Sequence, residues 1–431
     1  MSCCLLPTRM FNQGTNNAPS ANSVIPYFVF SAFSWLIAIV FIALHPKAVL
    51  TQVYFNETML TITHILMLGF VTSVIFGALF QLLPVIFLQK IYSEKLTKSI
   101  FYLLSAGTLG LCLSFYFDVN AIGLTLFGSL LNIAVLLFLV NIWKTIGKST
   151  ENKVAKKFIK TSAIWLAITV VVGLILALNF LYPFLPFVHL ELLKLHAHFG
   201  IIGWFIFLII GVSSVLIPMF LLVHDLDKRP LNFAYVLLTT SLVLGIISKL
   251  FVLSWMMYLA YGAGILGFIY YLNFIYVVYK NRPRKFLDYG LKKTMIAFPT
   301  ILLAMAISIL FLLDINTAFH LSAFYIVVLV IGFVATLILG QFYKTLPFIV
   351  WLKIYKPFVG KEKTLLPKDL YSYKRLKYQY YFHVIGFIVF FGALLSGFTV
   401  VFYLGIGFLF IAAVLFLINV MQIVLHKKQT L

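Results

Sequence analysis

Acidic residues are scarce. There are 11 in a chain of 431, against 32 Lys and Arg, and charged residues make up only 10%. With 63% of the residues hydrophobic, too few polar side chains exist to cover a water-facing surface, which excludes a soluble domain. Cysteine is scarce as well: Cys3, Cys4 and Cys112 are too few for a disulfide framework. No Cys-x-x-Cys-His occurs, which excludes covalently attached haem. No linker separates domains; the longest polar connection, about 351–379, is basic. The head, 1–23, lacks the charged start and adjoining apolar core of a signal peptide, and is expected to be retained as a flexible segment.

What the chain has is apolar runs of about 20 residues, each enough to cross roughly 30 Å of hydrocarbon. A spanning backbone must satisfy its own hydrogen bonds, as helices or as a closed barrel. The runs are continuous rather than alternating, which selects helices. Twelve spans are expected, at about 24–44, 58–88, 99–117, 120–142, 161–180, 189–222, 232–254, 257–279, 292–313, 317–350, 380–402 and 404–426. The fold class is an all-α polytopic membrane protein, with one transmembrane domain over 24–426 and a short tail, 427–431.

The net charge of +21 does not point to nucleic acid, because of where it lies. All Lys and Arg except Lys47, Lys194 and Lys249 fall on one face, Arg9 in the head and the rest in clusters that follow every second span, at 90–98, 144–160, 228–229, 280–293, 344–377 and 427–428. This is the positive-inside asymmetry, and it places both termini in the cytoplasm. The basic loops also suit an anionic lipid surface.

Three long spans align. From His64 and from His198, Gly follows at five residues (Gly69, Gly203), Gly at thirteen (Gly77, Gly211) and Pro at twenty (Pro84, Pro218). The tenth span supplies Gly332, Gly340 and Pro347, with Val327 in the histidine position. The repeats begin four spans apart, so the twelve helices are expected as three pseudo-symmetric groups of four. Seven residues upstream stand Glu57, Glu191 and His320, two turns away on the same face. A two-level polar stripe should therefore face inward in the outer half of the membrane. The glycines, on the opposite side at 100° per residue, should let neighbouring helices approach. His383 is expected at the cytoplasmic end of the eleventh span, outside the stripe.

Ionisable groups within a span are functional candidates. His64 and His198, at one depth on related helices, suit axial ligation of a haem iron. His196 points to nearly the opposite side of its helix and would serve a second site. His320 is a ligand candidate one level nearer the surface, and Lys194 and Lys249 are placed to meet haem propionates. The plainer readings are that His320 bonds a neighbouring helix, that Glu57 and Glu191 sit at helix N-termini, and that Lys249 snorkels.

Twelve spans in three groups, with histidines on the second, sixth and tenth, resemble subunit I of the haem–copper oxidase superfamily. THILMLGFVTSVIFGALFQLLPV and HAHFGIIGWFIFLIIGVSSVLIPMF also look like divergent subunit-I-like proteins and, more distantly, NnrS-type haem- and copper-containing membrane proteins. The resemblance implies a low-spin haem b on His64. It also implies a cytochrome or quinol donor, accessory membrane subunits, and a place in a bacterial inner membrane. The chain departs from the pattern in several ways. Its His-x-His, His196-Ala197-His198, is on the sixth span, not the tenth. The adjacent histidine pair that holds copper is absent, as is the His-Pro-Glu-Val-Tyr stretch. No carboxylate lies in the inner half of a span. Electron transfer, or binding or reduction of a diatomic gas, is therefore expected rather than proton-pumping oxygen reduction. The alternative is a transporter whose Glu57, Glu191, His64, His196, His198 and His320 would bind a transition metal, copper or non-haem iron.

Overall fold

The computed structural model describes residues 17–50, 55–117, 120–185, 189–283, 285–312 and 321–429. Twelve of its helices are long and apolar enough to cross a bilayer: α1 Ala21–Leu44, α2 Glu57–Phe87, α3 Glu94–Tyr116, α4 Ala121–Ile146, α5 Lys153–Leu181, α6 His189–Leu221, α7 Arg229–Leu250, α8 Ser254–Lys280, α9 Tyr289–Leu310, α10 Ala323–Ile354, α11 Tyr373–Ser396 and α12 Thr399–Val424. No strand occurs among the described residues. The chain is an all-α integral membrane protein, and large apolar side chains such as Leu126, Tyr258 and Val400 stay exposed on its helices, as a lipid solvent permits.

Each expected span coincides with a helix, but several helices begin earlier. α5 starts at Lys153 and α11 at Tyr373, because their first turns are basic and fall outside an apolar window. These lysines lay their stems along the helices and bring their charges to polar or aromatic partners. Lys156 donates to the carbonyls of Gly147 and Ser149, both at 2.7 Å, and Lys157 stands 3.6 Å over the Tyr235 ring.

Two compact units are distinguished. The α4–α8 unit comprises Leu82–Leu96 and Ala121–Phe286, including the last turns of α2 and the first of α3. The α9–α12 unit also holds α1, α2 to Gln81 and α3 from Thr97. In the first, Asn132 ties α4 to the Val170 carbonyl of α5 at 3.0 Å, and Ser213 of α6 meets the Tyr271 hydroxyl of α8 at 2.8 Å. In the second, Ser31 and Ser73 join α1 and α2 through backbone carbonyls at 2.9 and 3.0 Å.

The repeat is visible in the packing. Helices α2, α6 and α10 have 78, 72 and 78% of their apolar windows buried, against 28–50% for the other nine, so these three are the inner helices. Each lays at least one repeat glycine on the helix before it. A Cβ at Gly69 would come within 2.7 Å of Ser34 on α1, and one at Gly203 within 2.6 Å of Trp165 on α5. One at Gly340 would stand 2.6 Å from the Gly290 carbonyl at the start of α9. A second repeated feature was not expected. Asn141 of α4 exchanges two hydrogen bonds with the Ser93 backbone just before α3, both at 3.1 Å. Asn419 of α12 does the same with Ser372 before α11, at 3.2 and 3.3 Å.

Candidate functional site

Each inner helix changes its winding at one register. α2 is α-helical to His64 and then π-helical over Ile65–Thr72. α6 is α-helical to His198 and π-helical over Phe199–Ile206. α10 switches after Val327, over Val328–Ala335. All three π segments are eight residues long, although such turns are rare and usually short, and are frequent at functional sites. The key residue of the repeat is thus the last α-helical residue before each π segment. Gly69, Gly203 and Gly332 lie at the fifth position, each followed by a buried aromatic, Phe70, Trp204 or Phe333. The wider winding invalidates the constant 100° step used to place these glycines. They face neighbouring helices nonetheless.

The two key histidines are held alike. The His64 ring nitrogen Nδ1 lies 2.7 Å from the Leu60 carbonyl, and that of His198 lies 2.7 Å from the Lys194 carbonyl. A carbonyl can only accept, so Nδ1 carries the proton in both. Nε2 is left with its lone pair, and no protein partner meets it among the described residues. Both rings are half-buried. His64 also rests on Phe115 of α3, ring centroids 4.8 Å apart. His196 turns elsewhere: its Nδ1 is 3.0 Å from the Thr169 carbonyl of α5, and Gly173 leaves room for its ring. His64 lies in the α9–α12 unit and His198 in the α4–α8 unit.

The carboxylates sit at helix starts. Glu57 is the first residue of α2, exposed, behind the Asn56 side chain that caps Met59 N–H at 2.8 Å. Glu191 is in the first turn of α6 and is fully engaged. Oε1 takes Lys194 and Oε2 takes Lys249 of α7, each at 2.6 Å. The two lysines expected to meet a carboxylate therefore converge on one supplied by the chain. His320 lies outside the described residues. Among those described, no three of His, Cys, Asp and Glu come together as a metal-holding group.

Two polar residues lie elsewhere than expected. Lys293, assigned from the sequence to a basic loop, is in the second turn of α9 and fully buried. His383, expected at a helix end, is ten residues into α11, about 15 Å along it, and 1% exposed. Both shifts arise because α9 and α11 begin before their apolar windows. Sequence reasoning also missed the π segments, for which the Gly-aromatic pair in all three repeats was the available signal. The chain matches no protein-family model and no curated protein.

Proposed function

We propose that the protein is a haem-binding integral membrane protein in which His64 and His198 each act as an axial haem ligand through Nε2. The observation that carries this reading is their shared state: the same repeat register, the same 2.7 Å bond from Nδ1 to the carbonyl four residues back, and the same π segment beginning at the next residue. A ligating imidazole needs its other nitrogen fixed by a hydrogen bond, which sets tautomer and ring orientation. Both residues meet that condition before any ligand arrives, so their donor chemistry fits haem iron. The absence of Cys-x-x-Cys-His makes a non-covalent haem b the matching form. Lys194 and Lys249 already hold a carboxylate, Glu191, and the same ammonium pair would take a haem propionate in exchange.

Haem, when bound, supplies one-electron chemistry and an iron that binds diatomic gases; the chain supplies ligand orientation and an apolar surround that tunes the potential. Electron transfer, or binding or reduction of a diatomic gas, is the activity this supports, with a cytochrome or quinol as donor. The asymmetric basic loops support an orientation with both termini cytoplasmic, and a bacterial inner membrane is the setting that the resemblance to subunit I implies. The metal-transport reading has less support: Glu191 is committed to two lysines, and no metal-holding group forms among the described residues.

The test is a pair of visible spectra, oxidised and reduced, of the protein purified from cells supplied with haem. Low-spin bands should be present and should be lost or converted in His64→Ala and in His198→Ala. His45→Ala is the control, since His45 makes the same kind of bond to the Phe41 carbonyl at 2.9 Å but lies outside the repeat. A wild-type protein without haem, or bands unchanged in both repeat variants, would overturn the assignment.

A further inference from the structure

The α9–α12 unit contains a second polar cluster that the haem reading leaves unused. Lys293 of α9 is 0% exposed and its Nζ has no hydrogen-bond partner. Gln379 of α11 is 0% exposed with both amide atoms unpartnered. The indole N–H of Trp35 on α1 is buried and unpartnered as well, and its ring lies 6.2 Å from that of His383.

These groups share one level. The Tyr289 ring at the start of α9 packs 5.4–6.0 Å from Tyr373, Tyr380 and Tyr381 of α11. Further along both helices, Thr300 of α9 and Phe387 of α11 flank the same residue, Gly332. The two helices therefore run in the same direction. Lys293, one turn beyond Tyr289, comes level with the segment from Gln379 to His383. Those two are four residues apart on one helix face.

The protons can be assigned. Thr336 of α10 donates its only hydroxyl proton to the Ile331 carbonyl at 3.0 Å. Its contact with His383 Nε2 at 2.8 Å is therefore a bond from the imidazole N–H. That leaves Nδ1 as an unpartnered lone pair. The cluster is otherwise rich in donors: the ammonium of Lys293, the indole of Trp35 and the amide of Gln379. Among the described residues it has no countercharge: Lys293 makes no ion pair there, and Asp288 nearby is paired with Lys344. An unpaired buried ammonium is costly. The start of α9 adds to the positive potential, since helix N-termini disfavour cations and favour anions.

We propose that Lys293, Trp35 and Gln379, with His383 beside them, form a buried binding site for a small monovalent anion, a halide or an oxyanion of three or four atoms. The anion neutralises Lys293 and accepts hydrogen bonds from Trp35 and Gln379. The site is independent of the haem ligands and is read without them.

The test is thermal unfolding and titration calorimetry of the full-length protein in detergent. Chloride, bromide or nitrate would replace gluconate at constant ionic strength. The small anions should raise the unfolding temperature saturably. Lys293→Met should weaken binding at least tenfold, while Lys292→Met, at the exposed neighbouring position, should leave it unchanged. Gln379→Glu supplies an internal carboxylate beside Lys293 and should abolish the anion response in a folded protein, so it carries the test if Lys293→Met fails to fold. A wild-type response to chloride no larger than to gluconate would overturn the proposal, with water as the partner of these atoms. Undiminished affinity in Gln379→Glu would overturn it too.

Discussion

Gly340→Ala tests whether the small residues of the repeat set the helix spacing. Ala is about 1 kcal/mol better than Gly within a helix, so the substitution gains that much unless the new Cβ collides. At Gly340 it would stand 2.6 Å from the Gly290 carbonyl oxygen, 2.8 Å from Thr294 Oγ1 and 3.0 Å from Thr294 N. Two of these are backbone atoms of α9, which can yield only by moving the helix. Overpacking of this kind costs about 1–3 kcal/mol. Taking the upper end, the variant should lose about 2 kcal/mol net. At Gly392 of α11 nothing lies within 4 Å of the new Cβ, so Gly392→Ala should gain up to about 1 kcal/mol. Gly69→Ala should fall between them, since its nearest neighbours belong to the Ser34 side chain. The chain carries its own probe: Cys112 is buried in α3, and in a background with Cys3 and Cys4 replaced by Ser it reacts with a thiol dye only on unfolding. Equal midpoints for the Gly340 and Gly392 variants would refute the close-crossing argument.

Other consequences concern charges. Lys249→Met breaks one arm of the Glu191 clamp, but its partners are 36 and 40% exposed, so stability should fall by less than about 1 kcal/mol; a larger loss in the same dye assay would show that the clamp carries structural weight. His426, beyond the end of α12, has its Nε2 2.8 Å from the Tyr355 hydroxyl, and burial holds its imidazole below the ordinary value. The unfolded state then binds more protons, so this contribution is present above about pH 6.5 and is lost as pH falls from there through the lowered folded value. His426→Gln should flatten that part of the stability profile measured between pH 5 and 8, and an unchanged slope would count against the assignment.

The spans were legible because a bilayer imposes a length and a polarity that a run of residues must display by itself. The repeat was legible for a related reason: glycine and proline at fixed offsets are hard to mistake for ordinary apolar residues. The π segments were not, because ILMLGFVT, FGIIGWFI and VLVIGFVA share a glycine–aromatic pair but no periodicity that distinguishes the wider winding. The buried cluster around Lys293 was hidden by the same hydropathy window that found the spans. Lys293 and Gln379 lie in the first two turns of α9 and α11, where basic neighbours pull the average down, and so both read as loop. Trp35 carried no signal in the sequence, since its unpartnered N–H is a property of its surroundings.

A histidine bonded to the carbonyl four residues back is not by itself a ligand, since His45 adopts that arrangement against Phe41 and Tyr116 without belonging to the repeat. What separates His64 and His198 is that the bond coincides with the point where the helix changes its winding. A π segment displaces the side chains that follow it from their α-helical positions, so the residue before it is the last whose direction the α-helical start of the span controls. In α2 and α6 that residue is an imidazole with a free Nε2; in α10 it is Val327. The backbone device is therefore present three times and the histidine twice. Packing alone would give no reason for that difference, because the π winding persists in α10 without any histidine to accommodate. The winding is a feature of the repeat, and the two histidines are an addition to it.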